Sequence, residues 1–360
     1  MKQSKAKIAV LNKERARLDA QPLLSANPQA VLPVLAMRPS KNDCGQLMIE
    51  RRRSRLRRLG CAILLAAGIG SVSARGDLVL SVPVFDSRVV LRAKTDHGGA
   101  ATSLTFRGRE YLDSADHGRL LQSASSFDGY GECFNPTEGG AARDSGDEKV
   151  SVLKQASVSG NRLSTLVDMG FWLGPAQAYP NGCGDRRELK QAVNRSRTSG
   201  HLLSKRLTIG LPGYPNVIEH RVTYRVPAAF ASATFEASTG YMPLDFSHAL
   251  YFDAATATEY APESRQGEQS YPVILATPDG LHAMGVYSPE LPQAGLGYGR
   301  FTFDDVVKWN CVFRETEVRA GSYVYRCLIV IGTLAEVEAT LVRLNRDFGS
   351  ARPRPAARLR

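Results

Sequence analysis

A chain of 360 residues, 43% of them hydrophobic, is long enough for one large or two ordinary domains around a sizeable core. Its net charge of +11 would suit a nucleic-acid partner. The position of the charge excludes that class: residues 1–74 carry 14 Lys and Arg against 4 Asp and Glu, and the remainder stands at +1.

The N-terminal segment reads as an export signal. Residues 51–58 (RRRSRLRR) are a positive region, and 61–70 (CAILLAAGIG) an apolar run too short to span a bilayer. Val72 and Ala74 occupy small-residue cleavage positions. Residues 48–74, starting at Met48, are therefore expected to be a signal peptide cut after Ala74, and 1–47 an upstream over-extension of the reading frame or a disordered segment. The competing reading is a cytoplasmic basic tail before a single anchor. Cleavage leaves Cys133, Cys183, Cys311 and Cys327, an even number in an oxidising compartment. The favoured pairs are Cys311–Cys327 and Cys133–Cys183; the alternative is four buried free thiols. No CxxC pair occurs and the His spacing does not suit zinc, so no metal is assigned.

Short strands are expected at 78–82, 89–93 and 100–106, the last returning through an Arg107-Gly108 turn to 109–112. A polar, glycine-dense stretch follows, 116–140 (DHGRLLQSASSFDGYGECFNPTEGG), and reads as a loop. Strands are expected next at 149–157 and 162–171 around Ser159-Gly160-Asn161, and then a second loop over 175–199. Further strands fall at 201–209, 217–226, 233–239, 249–253, 272–277, 282–287, 308–314 and 323–331. In 217–226, Ile218, His220, Val222, Tyr224 and Val226 share one face, and Glu219, Arg221, Thr223 and Arg225 the other. Cys311 and Cys327 would face one side if 308–314 and 323–331 pair as neighbours around Ala320-Gly321. A single helix closes the chain at 334–347, with Thr333 and Glu336 as its capping box and Leu334, Val337, Leu341 and Leu344 as its apolar stripe. This order predicts an all-β protein. Its form is a large two-sheet supersandwich with one C-terminal helix, spanning 75–349 as a single domain before a loose tail, 350–360.

Residues 98–112 (GGAATSLTFRGREYL) resemble the opening hairpin of galactose-mutarotase-like supersandwich proteins of the aldose-epimerase superfamily. The resemblance covers about fifteen residues. It implies a twisted β-supersandwich whose concave sheet face binds a sugar; members include aldose epimerases, polysaccharide-lyase domains and glucan-assembly proteins. No segment matches the epimerase's paired catalytic His and Glu.

Sugar chemistry needs a proton donor and acceptor across a glycosidic or anomeric oxygen, with an aromatic platform for the ring. The 116–140 stretch offers His117 or Glu132 as general acid/base, Arg119 to neutralise charge, and Asp128 and Glu138 as partner carboxylates. Tyr130 and Asn135 would contact substrate. Further candidates are Glu219, Glu236, Tyr241, His248, Glu268 and Gln269 of a polar loop, Arg300 beside Gly-Tyr-Gly, and Trp309. His220, on an apolar face, suits a core histidine better. No nucleophile elbow, P-loop or dinucleotide fingerprint occurs.

The expected function is therefore an exported, periplasmic or secreted carbohydrate-active protein working by acid/base chemistry, as hydrolase, lyase or epimerase. The alternatives are a non-catalytic glycan-binding or envelope-assembly protein and, third, a structural protein without a small-molecule site. The expected partner is a carbohydrate. Neither nucleic acid nor cofactor is expected, nor membrane contact beyond the signal peptide, and the protein should be a monomer.

Overall fold

The computed structural model describes residues 76–141 and 150–349. The expected signal peptide, the segment ahead of it and the Arg/Pro tail lie outside the described residues.

Two antiparallel sheets form. The smaller runs in chain order through β1 (Asp77–Val84), β2 (Ser87–Lys94), β3 (Ala101–Phe106) and β4 (Arg109–Glu110). Alternation drives it: Leu80, Val84, Val89, Leu91 and Leu104 point into the core while their neighbours face out. Gly98, with φ of 63°, turns the chain between β2 and β3 where a Cβ would stand 2.3 Å from the Glu138 carbonyl oxygen.

The larger sheet holds β5 (Gln122–Phe127), β6 (Pro136–Thr137), β7 (Val152–Ser159), β8 (Arg162–Phe171), β9 (Thr198–Leu211), β10 (Tyr214–Val226), β11 (Phe230–Pro243), β12 (His248–Asp253), β13 (Thr258–Tyr260), β14 (Gln266–Gln269), β15 (Val273–Ala276), β16 (Ala283–Tyr287), β17 (Tyr298–Thr302), β18 (Val306–Val318) and β19 (Gly321–Gly332). Its order is β13-β12-β15-β16-β19-β10-β9-β8-β6-β5-β11-β18-β17-β14, with β7 beside β8. So long a sheet folds back on itself across the short β6. The inward residues of β10 then meet β5 and β11: Tyr224 donates to the carbonyls of Ala124 and Glu236, and His220 Nδ1 lies 2.6 Å from Ser238 Oγ. One layer is β16-β19-β10-β9-β8, the other β5-β11-β18-β17. The main core fills the space between, with Val222, Phe235, Trp309, Phe313 and Tyr325 fully buried.

The expected alternation along 217–226 holds. His220 is fully buried, and burial holds its pKa well below the usual histidine value, so it stays a neutral core group. Both favoured disulfides form, Cys133–Cys183 and Cys311–Cys327. The geometry behind the second differs from expectation. β18 pairs with β11 and β17, and β19 with β10 and β16, so these strands are not hairpin neighbours. The chain changes layers at Arg319 and Ala320, and the disulfide crosses the core. Register within one sheet could not reveal this, because the inward faces of opposed layers also meet.

The helix α1 (Leu334–Phe348) carries the expected capping box, Thr333 accepting from the Glu336 amide and Glu336 from the Thr333 amide. Val337, Leu341 and Leu344 seat it on Ile274, Ala283, Leu328 and Val330.

Strands absent from the sequence reading are β5, β6, β13, β14 and β17. β5 reads QSASSF and lies inside the stretch taken for a loop. Its small side chains carry no apolar alternation, because it is a central strand with almost every position buried.

Candidate functional site

A narrow cleft with a cavity volume of about 10 Å³, room for about one water molecule, opens to solvent on the outer surface of the β5-β11-β18 layer. Gly118, Gln122, Ala124, Thr137, Trp172, Glu236, Thr239, Tyr241 and Lys308 line it.

The local backbone explains the set. In a regular strand Glu236 would share its face with Ser238 and Gly240. A bulge in β11, seen against both β18 and β5, inserts one residue after Glu236. The insertion returns Ser238 to the core side beside His220 and places Glu236, Thr239 and Tyr241 together in the cleft. Gly240 faces inward against Trp309, where a Cβ would fall 2.7 Å from the indole. Gly240→Ala is expected to cost about 1–3 kcal/mol by overpacking, read as a lowered denaturation midpoint.

The polar groups are held in pairs. Lys308 Nζ stands 3.0 Å from Glu236 Oε2, and 5.3 Å from the centre of the Tyr241 ring. Tyr241 stacks on Phe303 at 6.5 Å, and among the described residues its buried hydroxyl has no hydrogen-bond partner. Gln122 donates to the carbonyls of Gly118 at 2.9 Å and His117 at 3.3 Å, and accepts from the Gly139 amide at 2.8 Å. It thereby ties both ends of the 116–140 stretch to β5. Trp172 forms the far wall, edge-on to Tyr179 and packed against the Cys133–Cys183 bridge.

Most of the expected site residues distribute around this cleft rather than within it; Glu236 and Tyr241 are the members that line it. Arg119 is buried, 3.1 Å from Asp305 and within 4 Å of Asp113 and Asp116. His117 stacks on His97 at 3.7 Å, with Nδ1 3.1 Å from the Gly139 carbonyl. Asp128 caps the start of β11, accepting from the amides of Ala231 and Ser232 at 2.7 and 3.1 Å. Glu132 accepts from Asn135, whose side-chain oxygen accepts from Thr137, so this chain supports the cleft from behind. Glu138 is fully buried beside Lys205, which also donates to the Gly99 carbonyl at 2.9 Å. Burial raises the Glu138 pKa, opposed by the Lys205 ammonium. Tyr130 lies 4.4 Å beneath the Arg186 guanidinium.

The remaining candidates lie on other parts of the fold. Glu219 bridges Arg326 at 2.6 Å, and Glu268 holds Arg314 through two contacts of 2.6 Å. Gln269 donates to the Tyr271 carbonyl at 2.6 Å, and Arg300 is buried against the carbonyls of Ser264 and Arg265. Trp309 fills the core, its Nε1 3.1 Å from Met284 Sδ. Sequence reasoning passed over Lys308, Gln122 and Trp172. Lys308 left a signal, a lysine inside the apolar run VVKWNCVF.

No family model matches this chain. None of the curated proteins matches it either. Among solved structures it is similar to a galactose mutarotase related enzyme from Lactobacillus acidophilus, at 11% identity and a TM-score of 0.41, over 73% of this chain and 99% of that one. It is also similar to a heparan sulfate lyase from Pedobacter heparinus, at 9% identity and a TM-score of 0.38, over 73% of this chain and 36% of the lyase. A third likeness is to a GH36 alpha-galactosidase from Geobacillus stearothermophilus, at 7% identity and a TM-score of 0.38, over 72% of this chain and 42% of that one. Likenesses at this level carry no argument about activity, which has to come from the cleft.

Proposed function

We propose that the chain is an exported carbohydrate-active protein that binds a sugar in the β5-β11-β18 cleft, with Glu236 as its acid/base group. The observation that carries this reading is the Glu236–Lys308 pair, 3.0 Å apart, beside the unpartnered Tyr241 hydroxyl. A buried hydroxyl without a partner costs about 1–3 kcal/mol, and a sugar hydroxyl entering the cleft would satisfy it. Trp172 and Tyr241 supply ring faces. Glu236 would exchange a proton with a sugar oxygen while the Lys308 ammonium stabilises the negative charge that develops there. Two disulfides suit an oxidising compartment and support export.

The test is a screen of reducing sugars and oligosaccharides with the full chain, followed by NMR for anomeric exchange, hydrolysis and new unsaturated ends. Glu236→Gln is expected to lower turnover about 10²–10⁴-fold while ligand still binds. One observation favours a non-catalytic binding protein: Glu236 and Lys308 bond each other in the unliganded cleft. Binding by the unaltered chain without turnover of any sugar would establish that reading instead.

A further inference from the structure

The layer opposite the cleft carries a charge pattern that the near-neutral balance of residues 75–360 hides. Antiparallel register aligns the side chains of one face in rows across neighbouring strands. Across β7, β8, β9, β10 and β19, one row reads Ser157, Ser164, Arg206, Arg221, Arg326, each paired in register with the next. His220, Val222 and Tyr224 of β10 point into the core, so Arg221 and its row point away from it. Arg162 flanks the row in line with Thr208 and Glu219, and Arg225 lies two rows to the other side, in line with Leu202 and Ser322. Arg162, Arg206, Arg221 and Arg225 are exposed and Arg326 half-buried.

The opposing charges are few. Glu219 holds Arg326 at 2.6 Å. Glu290 is acted on by Arg221 and Arg326 against the upward pull of burial on its carboxyl. Asp168 stands in line with Leu202 and Arg225, 3.9 Å from Lys154, so five arginines and one lysine face three carboxylates. Among the described residues, the guanidinium groups of Arg162, Arg206, Arg221 and Arg225 make no hydrogen bond or ion pair. Like charges directly opposite on neighbouring strands destabilise a sheet. Three aligned arginines are a cost to the unliganded protein, and an anion laid along them would remove it.

We propose that this face is a second binding surface, for a linear anionic polysaccharide bearing carboxylate or sulfate groups. Each guanidinium presents a planar fork that matches either group through two hydrogen bonds. At ~4.8 Å per strand the row extends about 19 Å, room for several repeating units. Ser157, Ser164, Ser204, Thr223 and Ser322 place hydroxyls among the arginines for neutral sugar hydroxyls. An anionic membrane is the less suitable partner. Among the described residues, Val152 on the edge strand β7, in line with Asp168, is the one exposed large hydrophobic residue at an outward position of this face, and a membrane-surface element ordinarily buries a broader apolar face below its charges.

The experiment measures binding of the full chain to immobilised heparin, to polygalacturonate, to neutral dextran and to vesicles of phosphatidylcholine with phosphatidylglycerol, across a salt series. The expected result is salt-sensitive binding to heparin or polygalacturonate and none to dextran. Arg206→Ser/Arg221→Ser should weaken it tenfold or more and flatten its salt dependence without lowering Tm. Removing the same charge elsewhere, with Arg187→Ser/Arg195→Ser, should change it less than threefold, and Glu236→Gln should leave it unchanged. The proposal is overturned if the unaltered chain binds neither polyanion, if both double variants weaken binding equally, or if the vesicles bind more tightly than the glycans through the same arginines. Arg206→Lys/Arg221→Lys separates fork recognition from charge: an intermediate loss supports the proposal, and full retention together with vesicle binding counts against it.

Discussion

Lys205→Met is expected to destabilise the protein by about 3–5 kcal/mol, the cost of leaving one member of a buried ion pair alone. Lys205 and Glu138 are both fully enclosed between the layers, and Lys205 also holds the Gly99 carbonyl. Removing the ammonium removes both the charge attraction and the hydrogen bond that oppose the burial raising the Glu138 pKa, and leaves the Ser123 amide alone against it. The direction with pH follows. Below about pH 4.3 the carboxyl is protonated in both folded and unfolded chains, and no charge is buried. As pH rises, the unfolded chain releases its proton first, so the variant's stability falls until the folded carboxyl also ionises. Denaturant titrations at pH 4 and pH 7 should show the larger deficit at pH 7. Lys205→Met/Glu138→Leu should recover most of the loss, since replacing a whole buried pair by apolar groups is often neutral or stabilising. A double variant as unstable as the sum of the two single variants would show that the charges do not act as a pair.

Loss of the Cys133–Cys183 bridge should have the second large effect. Its cysteines are 50 residues apart, against 16 for Cys311–Cys327. Loop-closure entropy sets the contributions at about 4 and 3 kcal/mol. The effects also differ in place. Cys133 and Cys183 form the floor under Trp172, Leu173 and Tyr179, and Trp172 is a wall of the cleft. Cys133→Ala/Cys183→Ala should therefore lower Tm and weaken sugar binding together. Cys311→Ala/Cys327→Ala should lower Tm with little effect on ligand affinity. Calorimetry and binding titration on both variants check this; equal loss of affinity in the two would separate Trp172 from the cleft's function.

The candidate site was only partly legible. Carboxylates, a histidine and an arginine on a glycine-rich stretch gave a reason to look at 116–140, and that stretch does border the cleft. Its ionisable groups, however, are taken up in holding the stretch together. Arg119 sits among Asp113, Asp116 and Asp305, and Asp128 caps β11. A sequence shows which groups can ionise and not which are already paired. Glu236 and Tyr241 drew notice near a strand end, but their common face depends on a bulge, and one inserted residue reverses the parity of everything after it.

Fold class, most strand positions and the closing helix with its Thr333–Glu336 cap followed from the sequence by itself; both disulfide pairs were the favoured ones, the second on a hairpin geometry that the fold does not have. Alternation of period two, glycine turns and capping chemistry act over a few residues, so they survive without knowledge of the rest of the chain. The tertiary structure alone decided which strands face one another. It turned Cys311–Cys327 from a hairpin link into a bridge across the core. It recruited the small-residue strand β5 to the sheet centre, brought Lys308 to Glu236, and aligned Arg206, Arg221 and Arg326. These contacts join residues from 15 positions apart, Arg206 and Arg221, to 117 apart, Gln122 and Thr239, and local propensity carries no information about register or layer at that distance.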